Sequence, residues 1–159
     1  MRVLVVYDSY FHNTEKIAKA FIHDHTTKSQ VEVIKVQDIT ADALKGIDLL
    51  VVGSPTRAFK PTPDMVHFLK GIPAGGLKGM KAVAFDTRVS TDDMKSKLLG
   101  TLVKTFGYAA EPLDKLLRQK GARVVSLPQA FVVKDKEGPL KPGEIERARD
   151  WAKSLLESE

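Results

Sequence analysis

The stretch Val3-Leu-Val-Val-Tyr-Asp-Ser-Tyr-Phe-His-Asn-Thr-Glu-Lys-Ile-Ala18 decides the reading of this chain. An apolar run ends at Tyr7, a loop of hydroxyl and amide side chains runs from Ser9 to Thr14, and a helical pattern begins at once. A strand that empties through such a loop onto a helix N-terminus presents backbone N–H groups with no partner inside the helix, at the positive end of its dipole. An anion, and a phosphate above all, fits there, with Ser9, Asn13 and Thr14 as further donors. An ordinary N-cap made by Asn13 or Thr14 uses the same residue types. The loop holds no Lys and no Gly-x-x-x-x-Gly-Lys pattern, which excludes a nucleoside-triphosphate P-loop.

Outward from this element, apolar segments alternate with helical patterns. Val3–Tyr7, Val31–Val36, Leu49–Gly53, Ala82–Phe85 and a longer stretch from Arg123 to Val133 read as five strands. Leu49-Leu-Val-Val52 and Ala82-Val-Ala-Phe85 are continuous rather than alternating, as in strands covered on both faces. Pro128 inside the last segment places it, bent, at a sheet edge. Helices are expected over Asn13–His25, Pro63–Leu69, Pro112–Lys120 with Gly121 as its stop, and Gly143–Leu156. Alternating strands and helices predict an α/β fold, a three-layer α/β/α sandwich around a five-stranded parallel sheet. Residues 1–159 read as one domain, with no internal repeat or linker.

Composition narrows the function classes. The chain has 159 residues and no cysteine, so thiolate metal sites, disulfides and cysteine nucleophiles are excluded. The start is already strand-like and no apolar run approaches a membrane span, so a cytoplasmic protein is expected. Net charge is +5, spread along the chain rather than clustered with aromatics; this argues against nucleic acid and leaves an acidic protein partner compatible. The histidines His23, His25 and His67 have no metal-ligand partners at suitable spacing, and no Ser–His–Asp arrangement can be argued.

In an open parallel sheet the ligand lies beyond the carboxyl ends of the strands, where the winding switches direction. Two further loops end there. Gly53-Ser-Pro-Thr-Arg-Ala-Phe-Lys-Pro-Thr-Pro63 offers hydroxyls from Ser54 and Thr56 and carries Phe59 on a proline-stiffened segment. Phe59 suits either stacking on a flat ring or burial in a minor core. Phe85-Asp-Thr-Arg88 ends the fourth strand with donors and acceptors from Asp86, Thr87 and Arg88.

These motifs, Tyr7-Asp-Ser-Tyr-Phe-His-Asn-Thr-Glu15, Val52-Gly-Ser-Pro-Thr-Arg57 and Ala84-Phe-Asp-Thr-Arg88, make the chain resemble the flavodoxin-like flavoproteins over essentially its whole length. The ending, Gly121-Ala and then Gly138-Pro-Leu-Lys-Pro-Gly-Glu144, is similar to small bacterial and archaeal members. The resemblance implies strand order 2-1-3-4-5 and FMN as cofactor. It implies phosphate contacts at Ser9, Tyr10, Phe11, His12, Asn13 and Thr14. It implies flavin contacts at Ser54, Pro55, Thr56, Arg57, Ala58 and Phe59, and at Asp86, Thr87 and Arg88. Flavodoxins usually carry Gly where this chain has His12, whose side chain could itself donate to the phosphate. Familiar members are acidic, whereas this chain is basic.

The implied function is FMN-dependent electron transfer between redox partner proteins, with the chain a monomer or a homodimer. Arg57 or Arg88 near the ring would stabilise its reduced, anionic form and raise the potential. An NAD(P)H-dependent quinone or flavin reductase is the alternative, and a flavin-free scaffold of the same fold the remoter one. A phosphoacceptor receiver is discounted, because Asp8 stands alone and Gly53-Ser54 replaces the needed Asp. The segment Asp92–Phe106 reads as an amphipathic helix, core-facing or available as a dimer contact or lid.

Overall fold

The computed structural model describes residues 1–23, 28–90 and 108–158. The opening apolar run forms β1 (Arg2–Tyr7), and the loop behind it leads into α1 (Asn13–Lys19). There follow β2 (Gln30–Lys35), a 3-10 turn (Val36–Asp38), β3 (Leu49–Pro55), α2 (Pro63–Gly71) and β4 (Lys81–Val89). Then come α3 (Ala110–Gln119), β5 (Arg123–Val124), β6 (Gln129–Val133) and α4 (Glu144–Glu157). Among the described residues these strands pair with one another in parallel, in the order β2-β1-β3-β4-β5, with β6 also on β4.

The predicted fifth strand is thus two short ones on one edge. β5 pairs with Lys81 and Ala82, and β6 with Phe85 through Val89. Between them the chain leaves the ladder at Pro128, which has no N–H to donate, and Leu127 stands 79% exposed. The sheet otherwise has the predicted order, and the architecture is a three-layer α/β/α sandwich of flavodoxin-like topology.

Alternation along the strands builds two cores. Val3, Val5, Val51, Val83 and Phe85 face α1 and α4, meeting Ile17, Phe21, Ala148 and Ala152. Leu4, Val6, Leu50, Val52 and Ala84 face α2 and α3, meeting Met65, Leu69, Leu113 and Leu117. Both faces of the central strands are therefore apolar, which is why their sequence runs are continuous. Gly53 is needed here for packing: a Cβ at this position would run into the Phe85 ring. The close approach that this glycine permits is by an internal ring. That ring stands edge-on to Phe131 and Trp151.

Helix ends depart from expectation where local tightening wins. α1 stops at Lys19, and the chain continues through Ala20–Ile22 by bonds to the third preceding carbonyl, so Phe21 still reaches the core. α3 starts two residues before Pro112 because a cap arrives from elsewhere: Asp86 Oδ2 accepts the Ala110 N–H at 2.9 Å. Its end at Gly121 (φ +95°) is a Schellman motif, with Ala122 N–H bonded to Leu117 O and Gly121 N–H to Arg118 O. His25 and the predicted helix Asp92–Phe106 lie outside the described residues. No described helix is long and apolar enough to cross a membrane.

Candidate functional site

β1, β3, β4 and β6 all end on one side of the sheet, and their loops enclose a cleft of about 130 Å³. From the first loop Ser9, Tyr10, Phe11, Asn13 and Thr14 line it; from the end of β3, Pro55, Thr56 and Arg57; from β4, Thr87 and Arg88. The sequence reading did not include Val89, Val133 and Lys136, which complete the wall. Val89 and Val133 are register partners across β4 and β6. The signal for Lys136 is the turn-forming run Lys134-Asp-Lys-Glu-Gly138 at another strand's carboxyl end.

The first loop is shaped by His12, whose φ of 65° and ψ of 3° are left-handed. This bends the chain ahead of α1, and among the described residues the backbone N–H groups of Tyr10 through Thr14 have no acceptor. Successive free amides around such a bend form a concave donor surface for an anion. Ser9 N–H is already spent on Asp8 Oδ1 at 2.9 Å. The imidazole of His12 points away, with Nδ1 2.8 Å from Glu15 Oε2, so its side chain is not a cleft donor here. Glu15 also meets Lys19 Nζ at 2.6 Å, and the Lys19 and His12 contacts hold its carboxyl down at about 2.

Thr14 and Thr87 share a hydrogen bond of 2.8 Å between their hydroxyls, joining the first loop to β4. Asn13 lines the cleft, and its Nδ2 donates one hydrogen bond to Glu137 O at 3.0 Å. Thr56 Oγ1 accepts the Ala109 N–H at 3.1 Å.

Ser54, Ala58, Phe59 and Asp86, like His12, do not line the cleft. Ser54 is fully buried; its hydroxyl donates to Pro55 O and accepts the Thr62 N–H, fixing the loop before α2. Ala58 and Phe59 are the central pair of a two-residue hairpin, at φ 47° and 66°, closed by paired bonds between Arg57 and Lys60. That turn carries Phe59 to a separate groove beside Pro63 of α2 and Pro112 of α3. Asp86 is fully buried and grips Arg88 with both oxygens, Nε at 2.7 Å and Nη2 at 2.5 Å. Burial pushes the Asp86 carboxyl up, against the pull of Arg88 and the Ala110 N–H. Burial opposes the Arg88 charge too, but Asp86 and Glu111 keep its pKa above the ordinary value.

Arg88 also lies 3.5 Å over the Tyr108 ring, while Arg57 lies 4.8 Å over Tyr10 and 5.7 Å from the centre of Phe11. The Arg57 contacts bridge the first loop and the β3 loop. The cleft therefore brings the first loop, with its free amides, together with hydroxyl side chains, Pro55 and the cationic Arg57, Arg88 and Lys136.

A winding of this order with a phosphate-type loop after its first strand defines the flavodoxin class of α/β proteins. The flavodoxin family profile matches residues 5–151, and the chain belongs to that family. Oxidised flavodoxin 1 from Bacillus cereus superimposes with a TM-score of 0.76 at 18% identity, covering 100% of this chain and 99% of that one. A flavodoxin from the domain Archaea gives 0.73 at 22% identity, covering 99% and 97%. The flavodoxin, WrbA-like protein from Agrobacterium tumefaciens gives 0.68 at 19%, covering 98% and 94%. At these identities the likeness concerns the fold. No curated protein sequence matches the chain.

Proposed function

We propose that the protein binds FMN and passes electrons between redox partner proteins. The observation that carries this reading is the first loop: in a chain of this family, the backbone amides of Tyr10 to Thr14 have no acceptor among the described residues, and Tyr10, Phe11, Asn13 and Thr14 line one cleft. Bound FMN supplies one- and two-electron chemistry.

The protein's part is placement. The Tyr10–Thr14 amides and the Ser9 hydroxyl would hold the phosphoryl group, while Pro55, Thr56, Thr87 and Arg88, which line the same cleft, would face the rest of the ligand. A cleft of about 130 Å³ is below the ~300–1,000 Å³ of sites that engulf a ligand. It suits the phosphoryl and ribityl portions, with the ring towards the rim, and leaves little place for the adenosine of FAD. Of the two arginines expected near the ring, Arg88 has its charge balanced by Asp86. Arg57, stacked on Tyr10, is the one able to tune the potential. A net charge of +5 favours partners with acidic docking faces.

The test is titration of the folded protein with FMN, FAD and riboflavin, followed by flavin fluorescence. Uptake of FMN in preference to FAD is expected, and a folded protein that takes up no FMN overturns the reading. Rapid NAD(P)H oxidation with a quinone by the FMN-loaded protein would replace the carrier role with a reductase.

A further inference from the structure

Among the described residues, three cationic side chains line the cleft, Arg57, Arg88 and Lys136. Arg88 is gripped by Asp86, and Arg57 is stacked on Tyr10. Lys136 makes no ion pair among the described residues.

Lys136 sits on a hairpin that follows β6. Val133 and Leu140 bridge across its base, Lys134 N–H bonds Pro139 O at 2.8 Å, and Gly138 N–H bonds Asp135 O at 2.8 Å. The hairpin is fastened to the first loop. Asn13, almost fully buried, donates from Nδ2 to Glu137 O. Gly138, at φ +104°, lies so close that any Cβ there would come within 2.6 Å of the Asn13 amide. Lys136 is flanked in sequence by Asp135 and Glu137 and pairs with neither; Asp135 accepts the Lys136 backbone N–H at 2.7 Å, capping the turn. The hairpin thus brings an uncommitted ammonium to the cleft that the first loop lines.

The local chemistry gives that charge a task. α1 has seven residues, so its dipole is small, and Ser9 N–H is already used by Asp8. Amides alone supply partial charges to a phosphate monoester that is close to a dianion at neutral pH. A lysine ammonium supplies a whole charge and three donors.

We infer that Lys136 recognises the phosphoryl group of the ligand and makes the site select FMN over riboflavin by charge. This rests on the FMN reading above. It assigns to the β6 hairpin a share of phosphate binding that the loop after β1 does not provide.

The experiment measures Kd for FMN and for riboflavin, at low and high KCl, in the wild type, Lys136→Gln and Lys136→Arg. A charge-assisted hydrogen bond corresponds to roughly a 10- to 100-fold change in affinity. Lys136→Gln is expected to weaken FMN by about that factor and leave riboflavin unchanged, so the preference between them collapses. Lys136→Arg should retain most of the preference. Added salt should weaken FMN binding more in the wild type than in Lys136→Gln. Undiminished FMN affinity in Lys136→Gln overturns the inference and leaves the FMN reading standing. Equal losses for both ligands also overturn it, since the hairpin would then be a structural support only. A wild type that takes up neither ligand overturns the FMN reading and this inference together.

Discussion

Thr14 Oγ1 and Thr87 Oγ1 lie 2.8 Å apart, and this buried contact joins the first turn of α1 to the end of β4. The two residues are 1% and 5% exposed at the inner wall of the cleft, and each hydroxyl has the other as its partner. Thr87→Val therefore leaves the Thr14 hydroxyl unsatisfied and should cost about 1–3 kcal/mol in urea unfolding. Adding Thr14→Val removes the stranded group and should recover part of that loss. A double variant less stable than the sum of the two single losses would show that the pair is not what holds the loops together.

Arg88 is placed by a carboxylate that water does not reach. Removing the guanidinium with Arg88→Met leaves Asp86 buried beside the Ala110 N–H alone, and should destabilise the fold by about 3–5 kcal/mol. Asp86→Asn in the same background removes the uncompensated charge and should restore much of the stability. Denaturant midpoints of the single and double variants provide the check. A loss below about 1 kcal/mol for Arg88→Met, the range of exposed pairs, would mean the pair is screened by solvent.

His12 stands in left-handed backbone at φ 65°, where an L-residue with a Cβ is disfavoured by about 1–2 kcal/mol. Glycine has no such penalty, and the imidazole it replaces is an exposed group bonded to Glu15 at the protein surface. His12→Gly should raise stability by about 1 kcal/mol, read as a higher urea midpoint with an unchanged slope. An unchanged or lower midpoint would place the strain elsewhere.

Glu15 gives the fold a pH dependence of definite sign. Its carboxyl is held at about 2, against an ordinary 4.5, by the Lys19 ammonium and then by His12. A depressed folded-state value means the unfolded chain binds the proton more readily. The contribution is therefore present above about pH 4.5 and is lost as pH falls towards 2. Both partners are largely solvent-exposed, so the effect is small and weakens in salt. Stability measured from pH 5 to pH 2 should fall less steeply in Glu15→Gln than in the wild type; identical slopes would remove Glu15 from the acid response.

The strand pattern was legible because burial on both faces leaves unbroken apolar runs such as Leu49–Val52, and the loops at their carboxyl ends follow from the winding. Less legible was the division of labour inside each loop. Ser54 and Asp86 carry the same kinds of groups as Thr56 and Thr87, yet the first two are buried supports and the others face the cleft. Ser54 and Asp86 are register partners one step further inside the sheet than Pro55 and Thr87, and composition does not disclose where along the segment the ladder gives way to the cleft. Phe59 was open between two fates, and the left-handed turn at Ala58 and Phe59 takes it to the groove beside α2 and α3.

The sequence alone determined the layered α/β/α arrangement and the amide-rich turn after β1, because both arise from patterns among near neighbours: unbroken apolar runs, helical spacing and turn-forming side chains. Tertiary structure decided which charges are balanced and which reach the cleft. Arg88 is cancelled by a residue two positions earlier in its own strand, and Lys136 lines the cleft from a hairpin that Asn13, 124 positions from Glu137, fastens to the first loop. Electrostatic balance depends on distances in space, and contacts between residues so far apart in the chain leave no periodic trace in it.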